Sequence, residues 1–442
     1  MPKVIVIGGG LAGLATAAAL GGDGYDVDLF ESRSFLGGRA TSYPVSPADD
    51  SSEVIDNCQH ILLRCCVNLM DFYKRLGVVD RIKFFREFYF MEPGGRTSVM
   101  RAGSLPVPFH FTGSFAEMRF LSLSDKLAIA RGMLAIRREH AKRSDLDRIT
   151  MLDWLREKRQ TEPAIRRFWS QILVSAVNED LDRMAASHGF QVFLLGFLSR
   201  KNSYEMGVPA VPLGQLYGDD AWKRLGNVQL RMRAPVDRIV TEAGRARAIV
   251  SQGQEYSADY FVSALPFERL PPLIPELGLD LEGFEHSPIT GIHLWFDRSL
   301  TQLPHATLLD RTIQWMFNKS GGRYLQLVVS ASRSLVDMSR GDVIALALRE
   351  LAEFFPRVAE AKLEKAHVVK EVRATFSAKP GLEAMRPTNF TKIRNLFLAG
   401  DWTRSGWPST MEGAVRSGYL AAEAVVGTSG GTQKFLLPDI TA

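Results

Sequence analysis

Cysteine is nearly absent from this chain: Cys58, Cys65 and Cys66 are the only three among 442 residues. The number is odd, two are adjacent and no C-x-x-C spacing occurs. Neither a disulfide framework nor a thiolate zinc site is expected, and no other metal either; buried thiols in a reducing compartment are. Long apolar runs are missing too. None approaches the roughly 20 residues that a helix needs to cross a bilayer. The opening Met1-Pro2-Lys3 leads straight into a strand-like run, without the apolar stretch and cleavage site of a secretory signal. The expectation is a cytoplasmic protein that can touch the inner face of a membrane but does not span it. Charge of one sign is not concentrated: 54 Lys and Arg against 49 Asp and Glu leave +5, with no arginine-rich tail. That gives no footing for a nucleic-acid partner, although a mild positive charge suits an anionic membrane surface. Internal repeats are lacking.

What is present is the balance of a globular protein, 46% hydrophobic and 23% charged residues, in a chain too long for one ordinary core. Two or three domains are expected. The strongest local pattern opens the chain. Val4-Ile5-Val6-Ile7 reads as a buried parallel strand, four apolar residues without alternation. Gly8, Gly10 and Gly13 then fill a G-x-G-x-x-G spacing, with Leu11 and Ala12 starting an alanine-rich helix pattern that runs through residues 14–20. A second strand, near residues 27–30, ends at Glu31, 18 positions after Gly13. Each part has a physical task. Gly8 permits the tight turn, Gly10 lets backbone approach a diphosphate, and Gly13 lets helix and strand pack closely. The helix start offers unpaired N–H groups and the positive end of its dipole. An acid at the position of Glu31 can accept hydrogen bonds from ribose hydroxyls. Ser32 and Arg33, beside it, are counted with the cofactor residues. Together these describe a dinucleotide-binding unit. Gly94-Gly95, Gly321-Gly322 and Gly430-Gly431 lack that context, so a second nucleotide domain is not expected.

Gly37-Gly38-Arg39-Ala40 follows the acid. This turn resembles one in flavin amine oxidases, protoporphyrinogen oxidases and phytoene desaturases. There, backbone N–H groups and the arginine approach the FAD diphosphate, which implies FAD here rather than NAD. Near the other end, residues 395–401 read as a strand ending in Gly400-Asp401. The resemblance gives Asp401 to the ribityl or diphosphate region. Ser409-Thr410-Met411-Glu412-Gly413-Ala414 opens a further helix whose N-terminus the resemblance aims at the flavin ring. Ser409 and Glu412 have capping-box spacing, and Glu412 reads as a cap rather than an acid. Between the two ends, runs at 228–231, 236–240, 246–250 and 260–263 look like the β-meander of that fold. Val236 would contact adenine, and Ala264-Leu265-Pro266 would lead the chain out of the cofactor domain.

The implied fold class is α/β: a discontinuous Rossmann-type FAD-binding domain (1–83, 205–266 and 393–426) with a second, α+β substrate domain (84–204 and 267–392) and a C-terminal tail (427–442). In the substrate domain, residues 290–296 and 323–330 read as strands of a mixed sheet. Ser124-Asp125 would cap a helix reaching about Arg143, with Leu127, Ala130 and Leu134 on its apolar side and Arg131, Arg137, Arg138, Lys142 and Arg143 as its basic residues. Two readings stay open: an ordinary surface helix, or one resting on an anionic membrane.

Over nearly its full length the chain resembles the hydroxysqualene dehydroxylase branch of this superfamily, in bacterial hopanoid synthesis. The carrying residues are Ile55-Asp56-Asn57-Cys58-Gln59-His60-Ile61, Ser104-Leu105-Pro106 with Pro108, Leu398-Ala399-Gly400-Asp401-Trp402-Thr403 and Gly406-Trp407-Pro408-Ser409-Thr410-Met411-Glu412-Gly413-Ala414. The branch usually has glycine where Cys58 stands. The resemblance implies loss of an allylic hydroxyl from a long isoprenoid lipid with hydride from reduced flavin. It also implies an external electron donor and association with squalene and hopanoid pathway enzymes. The proton would come from His60, oriented by Asp56; the other reading is that both only brace the turn. The competing activity is a carotenoid desaturase or isomerase. An amine oxidase fits less well, because Thr410 stands where that branch often has tyrosine. A non-catalytic flavin or lipid carrier is the reading of a different class.

Overall fold

The structure, a computed structural model, describes residues 1–45 and 53–440. The Lys3–Ile7 strand lies at the centre of a five-stranded parallel sheet. Asp26–Phe30 and then Val228–Arg231 flank it on one side, Tyr260–Ser263 and Leu396–Leu398 on the other. The sequence pattern has a simple cause: Val4, Ile5, Val6 and Ile7 are covered on both faces, so every position is apolar. The chain departs to opposite sides of this strand, which creates a crevice beyond the carboxyl ends of the sheet. The Leu11–Gly22 helix is buried from Leu11 to Gly21, because the Met411–Thr428 helix packs along it. Alanine and glycine allow that contact: a Cβ on Gly418 would lie 2.3 Å from the Ala12 carbonyl oxygen. Both ends of the chain thus meet on one layer.

The meander differs from expectation. Only Val236–Glu242, Arg245–Ser251 and Gln254–Ser257 form it. Val228–Arg231 is instead the edge strand of the parallel sheet, with Val228 opposite Val27 and Arg231 opposite Phe30. Tyr260–Ser263 also belongs to that sheet. Residues 228–231 alternate apolar and polar while 260–263 do not, and a run of four residues does not reveal which sheet it joins.

A second, seven-stranded sheet runs in the order Leu363–Phe376, His286–Phe296, Tyr324–Ser330, Trp315–Ser320, His305–Leu308, Phe88–Met91, Thr97–Met100. Its central strands are buried on both faces. Gly94-Gly95 and Gly321-Gly322 sit at two of its turns. Helices from Leu123 to Phe193 pack over it around Trp154, Trp169 and Phe190.

The helix expected from Ser124-Asp125 to about Arg143 is Leu123–Glu139. Its cap is Ser122, whose hydroxyl accepts from the Asp125 N–H while the Asp125 carboxylate accepts from Ser122. Its inner face is Ala128, Ile129, Gly132 and Ile136; Leu127, Ala130 and Leu134 face solvent. Small residues were selected inside because Trp169 presses there: a Cβ on Gly132 would stand 2.8 Å from its ring. Among the described residues no helix is long and apolar enough to cross a membrane. The stretch after Thr428 folds back. Phe435 is buried, Leu437 exchanges backbone hydrogen bonds with the Asn68 amide, and Asp439 accepts from Arg416 and Trp407.

Candidate functional site

The glycine turn and the Gly-Gly-Arg turn lie side by side. Gly37 N–H donates to the Gly9 carbonyl over 2.8 Å, and Gly10 bridges Gly37 in parallel register. They open a crevice of about 670 Å³ at the carboxyl ends of the parallel strands. Its wall is drawn from the whole chain. Gly8, Gly10, Leu11 and Ala12 come from the first turn and Glu31, Ser32 and Arg33 from the end of the second strand. Gly38, Arg39 and Ala40 follow, then Val236, Ala264 and Pro266 from the middle, and Gly400, Asp401, Thr410, Met411 and Ala414 from the far end. Gly13 does not line the crevice. It lies beneath, where a Cβ would be 2.0 Å from the Gly8 carbonyl oxygen.

These residues fit an adenine dinucleotide. A Cβ on Gly10 would meet no neighbour nearer than Gly38 Cα at 4.0 Å, so backbone there lies bare to the crevice. The Leu11–Gly22 helix begins at Gly10 with no side chain capping it, leaving its N–H groups to a ligand. Glu31 is fixed by N–H donors from Gly9 and Arg33, each at 2.8 Å, and by the Ser32 hydroxyl at 3.1 Å. A carboxylate has lone pairs left for ribose hydroxyls after three such bonds. At the far side Arg39 and Asp401 are ion-paired to one another, and Asp401 also accepts from the Ser409 hydroxyl. Arg39 donates further to the Ala374 carbonyl at 3.0 Å. The expectation assigned each side chain to the cofactor separately; here they form one clamp at the crevice edge.

The last helix is capped by Thr410, whose hydroxyl accepts from the Gly413 N–H at 3.0 Å; the Ser409–Glu412 capping box does not form. Glu412 caps a different helix. Its carboxylate accepts from the N–H groups of Asn68 (3.2 Å) and Leu69 (2.7 Å) and from the Asn68 amide (2.8 Å), at the start of Val67–Leu76. Burial pushes this carboxyl up to about 7 despite those donors.

The Asp56–His60 segment crosses the crevice floor, and the expected pairing is absent. His60 lines the crevice, and its Nε2 lies 3.0 Å from Asn57 Oδ1. Asp56 turns away, accepting from the Ser42 hydroxyl (2.7 Å) and the Leu213 N–H (2.9 Å), with Lys319 3.5 Å off. Asn57, not Asp56, orients the imidazole. Desolvation holds that imidazole down at about 4, so it is uncharged at neutral pH. Cys58 is not among the residues with positive φ, which explains how a cysteine serves where glycine is usual. Its buried thiol is pushed up to about 12.

Beside the crevice lies a chamber of about 150 Å³ with mostly apolar walls, among them Leu63, Leu69, Phe88, Phe90, Ile172 and Trp407. Ile61, Ser175, Ala176, Thr410 and Met411 line both spaces, so the two adjoin. Sequence reasoning missed this chamber. Its walls come from two sheets and the helical insert, and no local spacing announces them. Among the described residues no group of three or more His, Cys, Asp or Glu is placed to hold a metal.

A family model described as flavin containing amine oxidoreductase matches residues 11–426. The chain is 26% identical to a 15-cis-phytoene desaturase of Synechococcus elongatus, over 96% of each chain. It is 25% identical to a zeta-carotene desaturase of Synechocystis, covering 98% of this chain and 99% of that one. Among solved structures, a putrescine oxidase with putrescine bound superposes with a TM-score of 0.71 at 16% identity, over 96% of this chain and 99% of that one.

Proposed function

The chain belongs to the flavin-containing amine oxidoreductase family, and on that premise we propose that it is a hydroxysqualene dehydroxylase, converting an allylic isoprenoid alcohol to squalene. Its cofactor is FAD, and it is an oxidoreductase. Reduced FAD, when bound, supplies the hydride that forms the new C–H bond. The carbon–oxygen bond breaks, and the hydroxyl leaves as water with one proton. The protein has three tasks: to hold a chain that is almost all hydrocarbon, to keep bulk water out, and to deliver that proton. The observation that carries the reading is the apolar chamber opening directly onto the flavin crevice.

His60, on the crevice floor, is the proposed donor to the departing hydroxyl. Reduction of the flavin would call on an external donor; the presence of one parallel dinucleotide sheet among the described residues supports that reading. The carotenoid desaturase reading also has an observation in its favour, the full-length similarity to phytoene and zeta-carotene desaturases. One experiment separates the two. The FAD-loaded protein is incubated with hydroxysqualene under reducing conditions and with phytoene under oxidising conditions. Squalene in the first arm and unchanged phytoene in the second is the expected result; the opposite pattern would establish the desaturase.

A further inference from the structure

The segment after the Met411–Thr428 helix has no regular secondary structure, yet side chains of the body hold its backbone closely. Three successive N–H groups are taken by two of them. Phe435 and Leu436 both donate to the Glu423 carboxylate, at 2.8 and 2.9 Å, and Leu437 donates to Asn68 Oδ1 at 2.8 Å. The Leu437 carbonyl accepts in return from the Asn68 amide at 3.2 Å. Phe435 is buried beside Tyr419. Backbone without a helix or strand partner ordinarily gives its polar groups to water. This stretch gives them to fixed side chains, which sets its course.

That course runs behind the wall of the apolar chamber and is tied to it at two places. Asn68 lies between Cys66 and Leu69, and both of these line the chamber. Two positions beyond Leu437, the Asp439 carboxylate accepts from Trp407 Nε1 at 3.1 Å and from the Arg416 guanidinium at 2.8 Å. Trp407 is a further lining residue. Its carbonyl oxygen accepts from the fully buried Arg386 at 2.8 Å, so its backbone is fixed from one side and its indole nitrogen from the other. Asp439 does not line the chamber, and its side chain is 34% exposed. It is the outer partner of a wall residue that is 7% exposed. An indole N–H so enclosed needs an acceptor, and Asp439 supplies it.

We propose that Asp439 is a positioning residue that latches the Trp407 indole into the chamber wall, so that the segment tied to Asn68 and Trp407 sets how firmly the chamber holds an isoprenoid chain. With the latch broken, the indole is free to turn about its two side-chain bonds, and the wall loses its shape on the side next to Pro408 and Thr410. This rests on the reading of the chamber as the place of the lipid chain, and not on the reaction proposed for it. Arg416 shares the same carboxylate, and its guanidinium stands 5.7 Å from the Trp407 ring centre. The test therefore separates an effect carried by Trp407 from one carried by Arg416.

The test is a double-mutant cycle read as squalene binding to the protein loaded with oxidised FAD. Squalene is titrated, and perturbation of the flavin absorption reports occupancy. Full FAD content shows that each variant is folded. Asp439→Ala and Trp407→Phe are each expected to weaken binding roughly fivefold. The double variant is expected to stay within about twofold of Trp407→Phe alone, because the carboxylate acts through the indole. Asp439→Asn, whose amide oxygen still accepts from Nε1, is expected to bind squalene within about twofold of wild type. A brace that only ties down the segment predicts a lower melting temperature in Asp439→Ala with squalene binding unchanged, and that result overturns the latch. So do losses that multiply in the double variant, which assign the effect to Arg416, and a wild type that takes up no squalene. The expected pattern of binding in a protein that makes no squalene from hydroxysqualene upholds the latch and removes only the proposed reaction.

Discussion

At the scale of single residues, two ionisable groups near the site are set by burial in opposite directions, and each gives a test. The Glu412 carboxyl is raised to about 7 by desolvation, from an ordinary value of 4.5. Below pH 4.5 it is protonated in both folded and unfolded chains. Between pH 4.5 and 7 the unfolded chain gives up the proton while the folded one keeps it, so stability falls as pH rises through that window and then levels off. A shift of this size corresponds to about 3 kcal/mol. Measured by denaturant unfolding, wild type is expected to lose roughly that amount relative to Glu412→Gln between pH 4.5 and 8. A constant difference across the range would mean that the carboxyl titrates alike in the folded and unfolded chains. The spacing from Ser409 pointed to a capping box that does not form; Glu412 caps Val67–Leu76 instead, which lies over 330 positions earlier. Capping across such a separation leaves no trace in local spacing.

His60 is pushed the other way, to about 4. As proton donor it should give a dehydroxylation rate that rises about tenfold per unit as pH falls from 8 toward 5, because the imidazolium fraction does so. His60→Ala is expected to bind FAD fully and to lose both activity and that slope. Full activity in the variant would leave the residue as a brace for the turn. The resemblance singled out the run around it, and residues 57–60 line the crevice. Its internal bonding was not legible: Asp56 and Asn57 are adjacent in sequence, and only the fold decides which of them meets the imidazole.

At the scale of elements, the first strand, glycine turn, helix and acid could be read in order because each obeys a local rule: apolar burial on two faces, bare backbone at the turn, an uncapped helix start. The edge strand Val228–Arg231 could not, since joining a parallel sheet is a long-range event. The Leu123–Glu139 helix misled for a different reason. Pattern reading sends leucine inward, but here the core face holds Ala128 and Gly132 against Trp169, and Leu123, Leu127 and Leu134 are 74%, 53% and 42% exposed. Arg131 and Arg138 stand one turn from Leu127 and Leu134, also exposed. An exposed leucine stripe flanked by arginines suits an anionic bilayer, where each basic residue near the surface adds about 1 kcal/mol. The double variant Leu123→Glu with Leu127→Glu is therefore expected to lose co-sedimentation with phosphatidylglycerol vesicles at unchanged FAD content and melting temperature. Vesicle binding equal to wild type would assign the stripe to ordinary surface.

At the scale of the molecule, the two ends of the chain build one side of the crevice, and the chamber beside it is enclosed between those ends and the middle of the chain. The division of labour follows from the topology. Strands at residues 3–7 and 396–398 lie two places apart in one sheet, which brings the Gly8 turn and Asp401 to the same edge. The segment after Thr428 ties back onto Asn68 and Arg416 and so secures the helix that carries Thr410 and Met411. The cofactor half was legible because dinucleotide binding needs small, charged and helix-starting residues at fixed spacings. The chamber was not, because an apolar wall asks only for apolar residues, and these are everywhere in the chain. The most direct measurement is a single turnover. Protein carrying chemically reduced FAD is mixed anaerobically with hydroxysqualene while flavin absorption is followed and the lipid extracted. One squalene formed for each flavin reoxidised is the expected outcome. Flavin that stays reduced beside unchanged alcohol would contradict the proposed reaction.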